Sequence, residues 1–127
     1  MSGRGSKAKG NAYEVEVAAY IAEGVGLDCR RALLSGGGRN DGGADLDGTP
    51  LVHMELKRVE SFSPYKAMGQ AEEAISKARD KSVKPVVVTR RNRMRTGESL
   101  VVMRLDDWLP LYQMWIRSTA SGQTASS

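Results

Sequence analysis

The run Gly43-Ala44-Asp45-Leu46-Asp47-Gly48-Thr49-Pro50, continued by Leu51-Val52-His53-Met54-Glu55-Leu56-Lys57, constrains the fold more than any other part of the chain. From Val52 to Lys57 the residues alternate, with Val52, Met54 and Leu56 on one side and His53, Glu55 and Lys57 on the other. A period of two marks a strand with one face on a core, and it makes Glu55 and Lys57 project together. Asp47-Gly48-Thr49-Pro50 is rich in turn formers, so residues 44–47 can fold back as a second strand and bring an aspartate beside Glu55. Carboxylates gathered in this way, with room left for water and a phosphate, suit a hard divalent cation. A solvated hairpin with a surface Glu/Lys pair is the plainer reading of the same spacing.

A helix is expected from Asn11 to Glu23, where only Glu14 and Glu16 interrupt an apolar run that starts at Tyr13. At about 100° per residue, Val17, Ala18, Ile21 and Ala22 surround the direction of Glu14, whereas Glu16 shares the opposite side with Tyr20 and Glu23. A carboxylate on an apolar face is costly unless it is paired, hydrogen-bonded or bound to metal, which makes Glu14 a site candidate. Asn11 followed three residues later by Glu14 also reads as a capping box at the start of that helix.

Downstream, Ser63-Pro64 signals the N-terminus of a second helix with a narrow stripe of Ala67, Ala71, Ala74, Ile75 and Ala78. Gln70 borders that stripe, and Lys66 and Lys77 lie further round. Val86–Thr89 and the alternating stretch 99–105 read as strands, and Asp106 or Asp107 as the cap of a last helix running to Arg117, with Pro110 in its first turn. Trp108, Leu109, Tyr112, Trp115 and Ile116 give that helix more large apolar surface than a small core hides, so part of it is expected at a dimer contact.

The 127 residues suit a single domain over residues 11–117, with a basic arm at 1–10 and a small polar tail at 118–127, both expected to be mobile. One cysteine and one histidine exclude a disulfide framework and a zinc cluster, and no apolar run approaches a membrane span or a signal segment. A cytoplasmic setting is the expectation. Arg4, Lys7 and Lys9 of the arm carry most of the net charge of +4, so clustering is more telling than the total. Lys7, Lys9, Arg30, Arg31, Ser35, Arg39, Arg58, Lys66, Arg90, Arg91 and Arg93 are the candidate contacts to nucleic-acid phosphates.

The pattern of Asp45 with Glu55-Leu56-Lys57 resembles the core of the PD-(D/E)xK nuclease superfamily. More of the chain, roughly residues 9 to 105, resembles the archaeal-type Holliday junction resolvases and similar small phage nucleases. Lys9-Gly10 precedes a helix whose first turn supplies Glu14, Ser35-Gly36-Gly37-Gly38 forms a loop, and Asp45 and Glu55-Leu56-Lys57 follow. Ala44 stands where the motif usually has proline. The resemblance implies an α/β restriction-endonuclease-like core, a central mixed sheet flanked by helices, and a two-fold dimer. It implies Mg2+- or Mn2+-dependent hydrolysis of DNA at four-way junctions or other branched structures.

In that reading Asp45, Glu55 and the Leu56 carbonyl hold the metal, and Glu14 acts through water or at a second metal. Lys57 orients or helps deprotonate the attacking water, and Gln70 touches the substrate backbone, although a surface amide explains Gln70 nearly as well. Asp45 is preferred to Asp47 because an apolar residue follows it as in the family, while Asp47 has the turn to start. A phage repair or flap-type nuclease of the same superfamily, or a non-catalytic DNA-binding module with structural acids, are the alternatives.

Overall fold

The computed structural model describes residues 2–32 and 44–121, with residues 2–10 followed for their backbone alone. Its elements are α1 (Ser2–Val25), β1 (Arg30–Arg31), β2 (Leu46–Asp47), β3 (Val52–Arg58), α2 (Pro64–Ser76), β4 (Lys84–Arg90), β5 (Leu100–Val102) and α3 (Leu105–Ala120). The chain is α/β. β3 pairs in parallel with β4 and β4 antiparallel with β5, giving a mixed sheet of order β3-β4-β5, while β1 and β2 form a small antiparallel pair.

The alternation in β3 is realised as a sheet covered on both faces. Met54 and Leu56, with Val86 and Val88 from β4, pack under Tyr13, Val17 and Ala18 of α1 and against Leu46 and Cys29. On the opposite face Val87 packs under Ala67, Met68 and Ala71 of α2, with Phe62 and Val102 at the margin. The parallel β3-α2-β4 unit needs a crossover element, and α2 supplies it with its small-residue stripe turned to the sheet. Pro64 opens α2, a position where the missing N–H costs no intrahelical bond.

Two glycines are required by backbone geometry. Gly26 (φ 71) ends α1 in the left-handed region, its N–H bonding the Ala22 carbonyl at 2.9 Å. Gly48 (φ 86) turns β2 toward β3 so close to the Asp28 carbonyl that a Cβ would collide with it.

The structure departs from sequence expectation in four places. β2 pairs with β1 and not with β3, so the expected hairpin does not form, and among the described residues a single backbone bond from Asp45 to Met54 joins that segment to β3. α1 begins at Ser2 instead of Asn11, because extending a helix already nucleated on the core is far easier than starting one. Asn11 is therefore an interior residue and makes no capping box with Glu14. β5 stops at Val102 and α3 starts at Leu105, earlier than a cap at Asp106 or Asp107 would allow. The N-cap, Arg104, makes no side-chain bond to its own helix and instead reaches back to Glu72 of α2 with a bidentate pair of bonds at 2.9 and 3.0 Å. Pro110 consequently lies inside α3, beyond its first turn. No helix among the described residues is long and apolar enough to cross a membrane.

Candidate active site

Asp45 sits where the small sheet meets the large one. Its N–H donates to the Met54 carbonyl at 3.0 Å, and its own carbonyl accepts from Ala32 N–H at 2.9 Å, so its backbone is held from both sides. Its side chain then caps the strand: Leu56 N–H donates to Asp45 Oδ2 at 2.8 Å. The carboxylate is thereby fixed against the backbone of Glu55-Leu56-Lys57, although the sequence separates them by a turn.

Glu55 and Lys57 stand opposite Val87 and Thr89 in the parallel register and so share the α2 face of the sheet. Burial and the Glu55 charge push Asp45 up to about 6, and Glu14 adds to this, while the Leu56 N–H bond and Lys57 pull the other way. Glu14 from α1 and Glu55 and Lys57 from β3 thus all act on Asp45. Asp47, by contrast, is exposed on β2 opposite Arg30.

Glu14 lies at the inner side of α1, its side chain keeping 12% exposure against 45% for Glu16. Arg31 Nε donates to Glu14 Oε1 at 2.9 Å, and Arg31 Nη2 donates to Asn11 Oδ1 at 3.0 Å. The two residues that suggested a capping box therefore grip a guanidinium from β1.

On the other side of Lys57, a cleft of about 260 Å³ is lined by Lys57, Ser61, Ser63, Lys66 and Gln70. It exists because the chain leaves β3, crosses 59–63 and enters α2 directly beside the strand's end. Gln70 and Lys66 are thus brought to Lys57 by the first turns of α2.

The proposed phosphate contacts divide into two groups. Arg91 and Arg93 are exposed beyond β4, and Arg30 is exposed beside Asp28 at 3.2 Å. Arg90 is buried at 7% exposure, with Nη2 3.1 Å from Glu16 Oε2 and its guanidinium 4.9 Å from the centre of the Tyr13 ring. That expectation is corrected: Arg90 ties β4 to α1, since a guanidinium placed inside must find carboxylate and aromatic partners. Arg58 is half-buried beside it in register. The side chains of Lys7 and Lys9, and the whole of Ser35 and Arg39, lie outside the described residues.

Sequence reasoning passed over His53. It is 4% exposed, its Nε2 lies 3.5 Å from Glu55 Oε1, and that nitrogen has no hydrogen-bond partner among the described residues. The alternation that paired Glu55 with Lys57 also put His53 on their side, so the signal was present. It also passed over the bond between Tyr13 Oη and Ser99 Oγ (2.8 Å), which secures α1 to the turn before β5.

Among the described residues no three or more His, Cys, Asp or Glu side chains converge closely enough to hold a metal ion. The donors available are the carboxylates of Asp45 and Glu55 and the Leu56 carbonyl. Oxygen ligands from one or two carboxylates, with remaining positions for water and phosphate, are the chemistry Mg2+ takes, and a cation would relieve the repulsion that raises Asp45. The fit rests on this pair, Glu14 being engaged by Arg31. Comparisons of the chain with family models, with curated proteins and with solved structures find no match.

Proposed function

We propose that this protein is a metal-dependent DNA endonuclease of the PD-(D/E)xK type, with a restriction-endonuclease-like core, acting on four-way junctions or other branched DNA. The observation that carries the reading is the hydrogen bond from Leu56 N–H to Asp45 Oδ2, which locks an aspartate onto the Glu55-Leu56-Lys57 strand. A phosphodiester resists hydrolysis because its negative charge repels nucleophiles and its leaving oxygen is poor. Asp45 and Glu55, with the Leu56 carbonyl, would hold Mg2+ or Mn2+. When bound, that ion lowers the pKa of a water and polarises the phosphate. Lys57, at the mouth of the cleft, would orient the attacking water and offset the extra charge of the transition state. Gln70 and Lys66 would hold the scissile strand's backbone, and Glu14 would set the field at Asp45 from its pairing with Arg31.

The partner on this reading is double-stranded or branched DNA, engaged by a homodimer. The support for a second copy is α3, which buries none of its residues and leaves Trp108, Leu109, Tyr112, Trp115 and Ile116 between 40 and 66% exposed. A two-fold pair would carry two sites at fixed separation, matching strands of like polarity across a four-way junction.

The test is a panel of labelled duplex, flap, single-strand and four-way-junction DNAs, with and without Mg2+. Paired incisions on the junction, abolished by Asp45→Asn, Glu55→Gln or Lys57→Ala with binding retained, are expected. Full cutting by Glu55→Gln would sink the site assignment. Equal cutting of junction and duplex would favour a general repair or flap nuclease, and binding without any cutting a DNA-binding module.

A further inference from the structure

Beyond the Lys57 cleft the molecule carries a second cavity, of about 390 Å³, that the chemistry above does not use. It is lined by the apolar Val59, Phe62, Met94 and Leu100 together with Thr89, Arg90 and Arg91. Val59 and Phe62 belong to both cavities, so an apolar chamber adjoins one rimmed by Lys57 and Lys66. The chamber is built from the ends of strands: the chain leaving β3 forms one wall, and the loop after β4 folds across to form the other. Asn92 N–H donates to Glu60 Oε2 at 2.6 Å and pins that loop to the first wall, while Arg93 takes a left-handed conformation (φ 67) to complete the turn. A left-handed arginine is uncommon, and this one lies in the turn between Arg91 and Met94, which line the cavity.

A ligand that fits both cavities must pair a flat apolar group with an anion a short distance away. A nucleotide does this. We propose that the chamber receives the base of an unpaired nucleotide whose phosphate lies at Lys57 and Lys66, so that a strand with a base out of the stack is preferred to intact duplex. The proposal rests on the nuclease reading and names its substrate class. Inside a duplex each base has both faces covered by its neighbours and cannot enter; at a branch point or on a single strand a face is available. Phe62 and Met94 offer surfaces on which any base stacks without being read by hydrogen bonds, and Arg91 supplies a cation beside it. The result is selection for strand state without selection for sequence.

The experiment measures binding, without metal, of a single-stranded oligonucleotide with 2-aminopurine at its centre, of the same strand with an abasic residue there, and of a duplex. Wild type should change the 2-aminopurine fluorescence and bind the complete strand about tenfold more tightly than the abasic one. Met94→Ala, which removes the apolar surface without adding charge beside Arg91 and Arg93, should shrink that difference while leaving duplex affinity and the melting temperature unchanged. Phe62→Ala should do the same to the strand preference, and since Phe62 also packs against the α2 core, Met94→Ala is the variant that separates binding from folding. Equal affinity for abasic and complete strands, or an unaltered preference in Met94→Ala, overturns the proposal. Mg2+-dependent cleavage is scored separately. A base preference without cleavage keeps the chamber and rejects the nuclease, and cleavage without a base preference does the reverse.

Discussion

Arg31 Nε donates to Glu14 Oε1 at 2.9 Å, joining the inner face of α1 to β1 at the edge of the carboxylate cluster. Glu14 adds to the repulsion that raises Asp45, and the guanidinium paired with it carries the opposite charge. Arg31 was expected to meet DNA phosphates. Its geometry gives it a second task, since the charge it contributes is largely taken up inside the protein.

Removing that guanidinium should therefore be felt in two ways. Arg31→Ala is expected to lower stability by about 1–2 kcal/mol, the usual scale for losing hydrogen bonds to a charged, partly buried group. It should also raise the pKa of Asp45 further, because Glu14 then repels it with less compensation. Urea denaturation reads the first effect and an NMR titration of the Asp45 carboxyl the second. An Asp45 titration unmoved by the substitution would show that Glu14 and Asp45 do not sense each other.

Asp45 makes a pH-dependent prediction whose sign is fixed by its elevation from 3.8 to about 6. The native state holds this proton more tightly than the unfolded chain does, so the associated stability is fully present below about pH 4 and is lost as pH rises through 6. The displacement corresponds to roughly 2–3 kcal/mol. Asp45→Asn keeps an oxygen to accept the Leu56 N–H and removes the charge, so it should be more stable than wild type at pH 8 and equal to it near pH 4. Mg2+ should raise the melting temperature of wild type at pH 8 and leave Asp45→Asn and Glu55→Gln unmoved, because only binding to the native state stabilises it. Melting curves across pH, with and without Mg2+, check both statements. A less stable Asp45→Asn at pH 8 would contradict the first.

How much of this was legible depended on whether the governing contact was local. The period of two in β3, the Pro64 start of α2 and the inward direction of Glu14 are properties of neighbours in the chain, and each is seen in the structure. The role of Asn11 was not legible, because its partner Arg31 arrives from another element and local spacing suggested a cap instead. Arg90 was misjudged for the same reason: within Arg90-Arg91-Asn92-Arg93 it looks like one more exposed cation, and only the packing of α1 over β4 turns it to Glu16 and Tyr13. The link from Asp45 to Leu56 N–H depends on the strand register, which the turn residues suggested without fixing its atoms.

The division between Arg90 and its neighbours is testable by salt dependence. Arg91→Ala and Arg93→Ala should each weaken DNA binding with little sequence preference and reduce the slope of log affinity against log salt by roughly 1. Arg90→Ala should instead destabilise the fold by about 1–3 kcal/mol, since it removes the ion pair to the half-exposed Glu16 and leaves a gap against Tyr13. Fluorescence anisotropy at several salt concentrations, set beside urea melts, separates the two behaviours. An Arg90→Ala protein of normal stability with a reduced salt slope would restore it to the DNA-facing set.

The last prediction concerns α3. At about 100° per residue, Leu105, Trp108, Leu109, Tyr112, Trp115 and Ile116 form one face centred on Tyr112, and Asp107 lies on the far side, 3.7 Å from Lys84. The helix is thus held to the body by its polar back, and its aromatic face points away. Trp108 stacks on Tyr112 at 4.8 Å between ring centres and Tyr112 meets Trp115 edge-on at 6.5 Å, so the exposed surface is already ordered as a continuous ladder. Two such helices crossing near Tyr112 would cover each other's ladders. Sedimentation at micromolar concentration should then give about twice the 13.8 kDa chain mass. Tyr112→Glu should give monomers with an unchanged melting profile for the rest of the fold, because α3 buries nothing in the single chain. A wild-type protein that stays monomeric at these concentrations, with or without DNA, rules out the pairing and with it the two-site account of junction cutting.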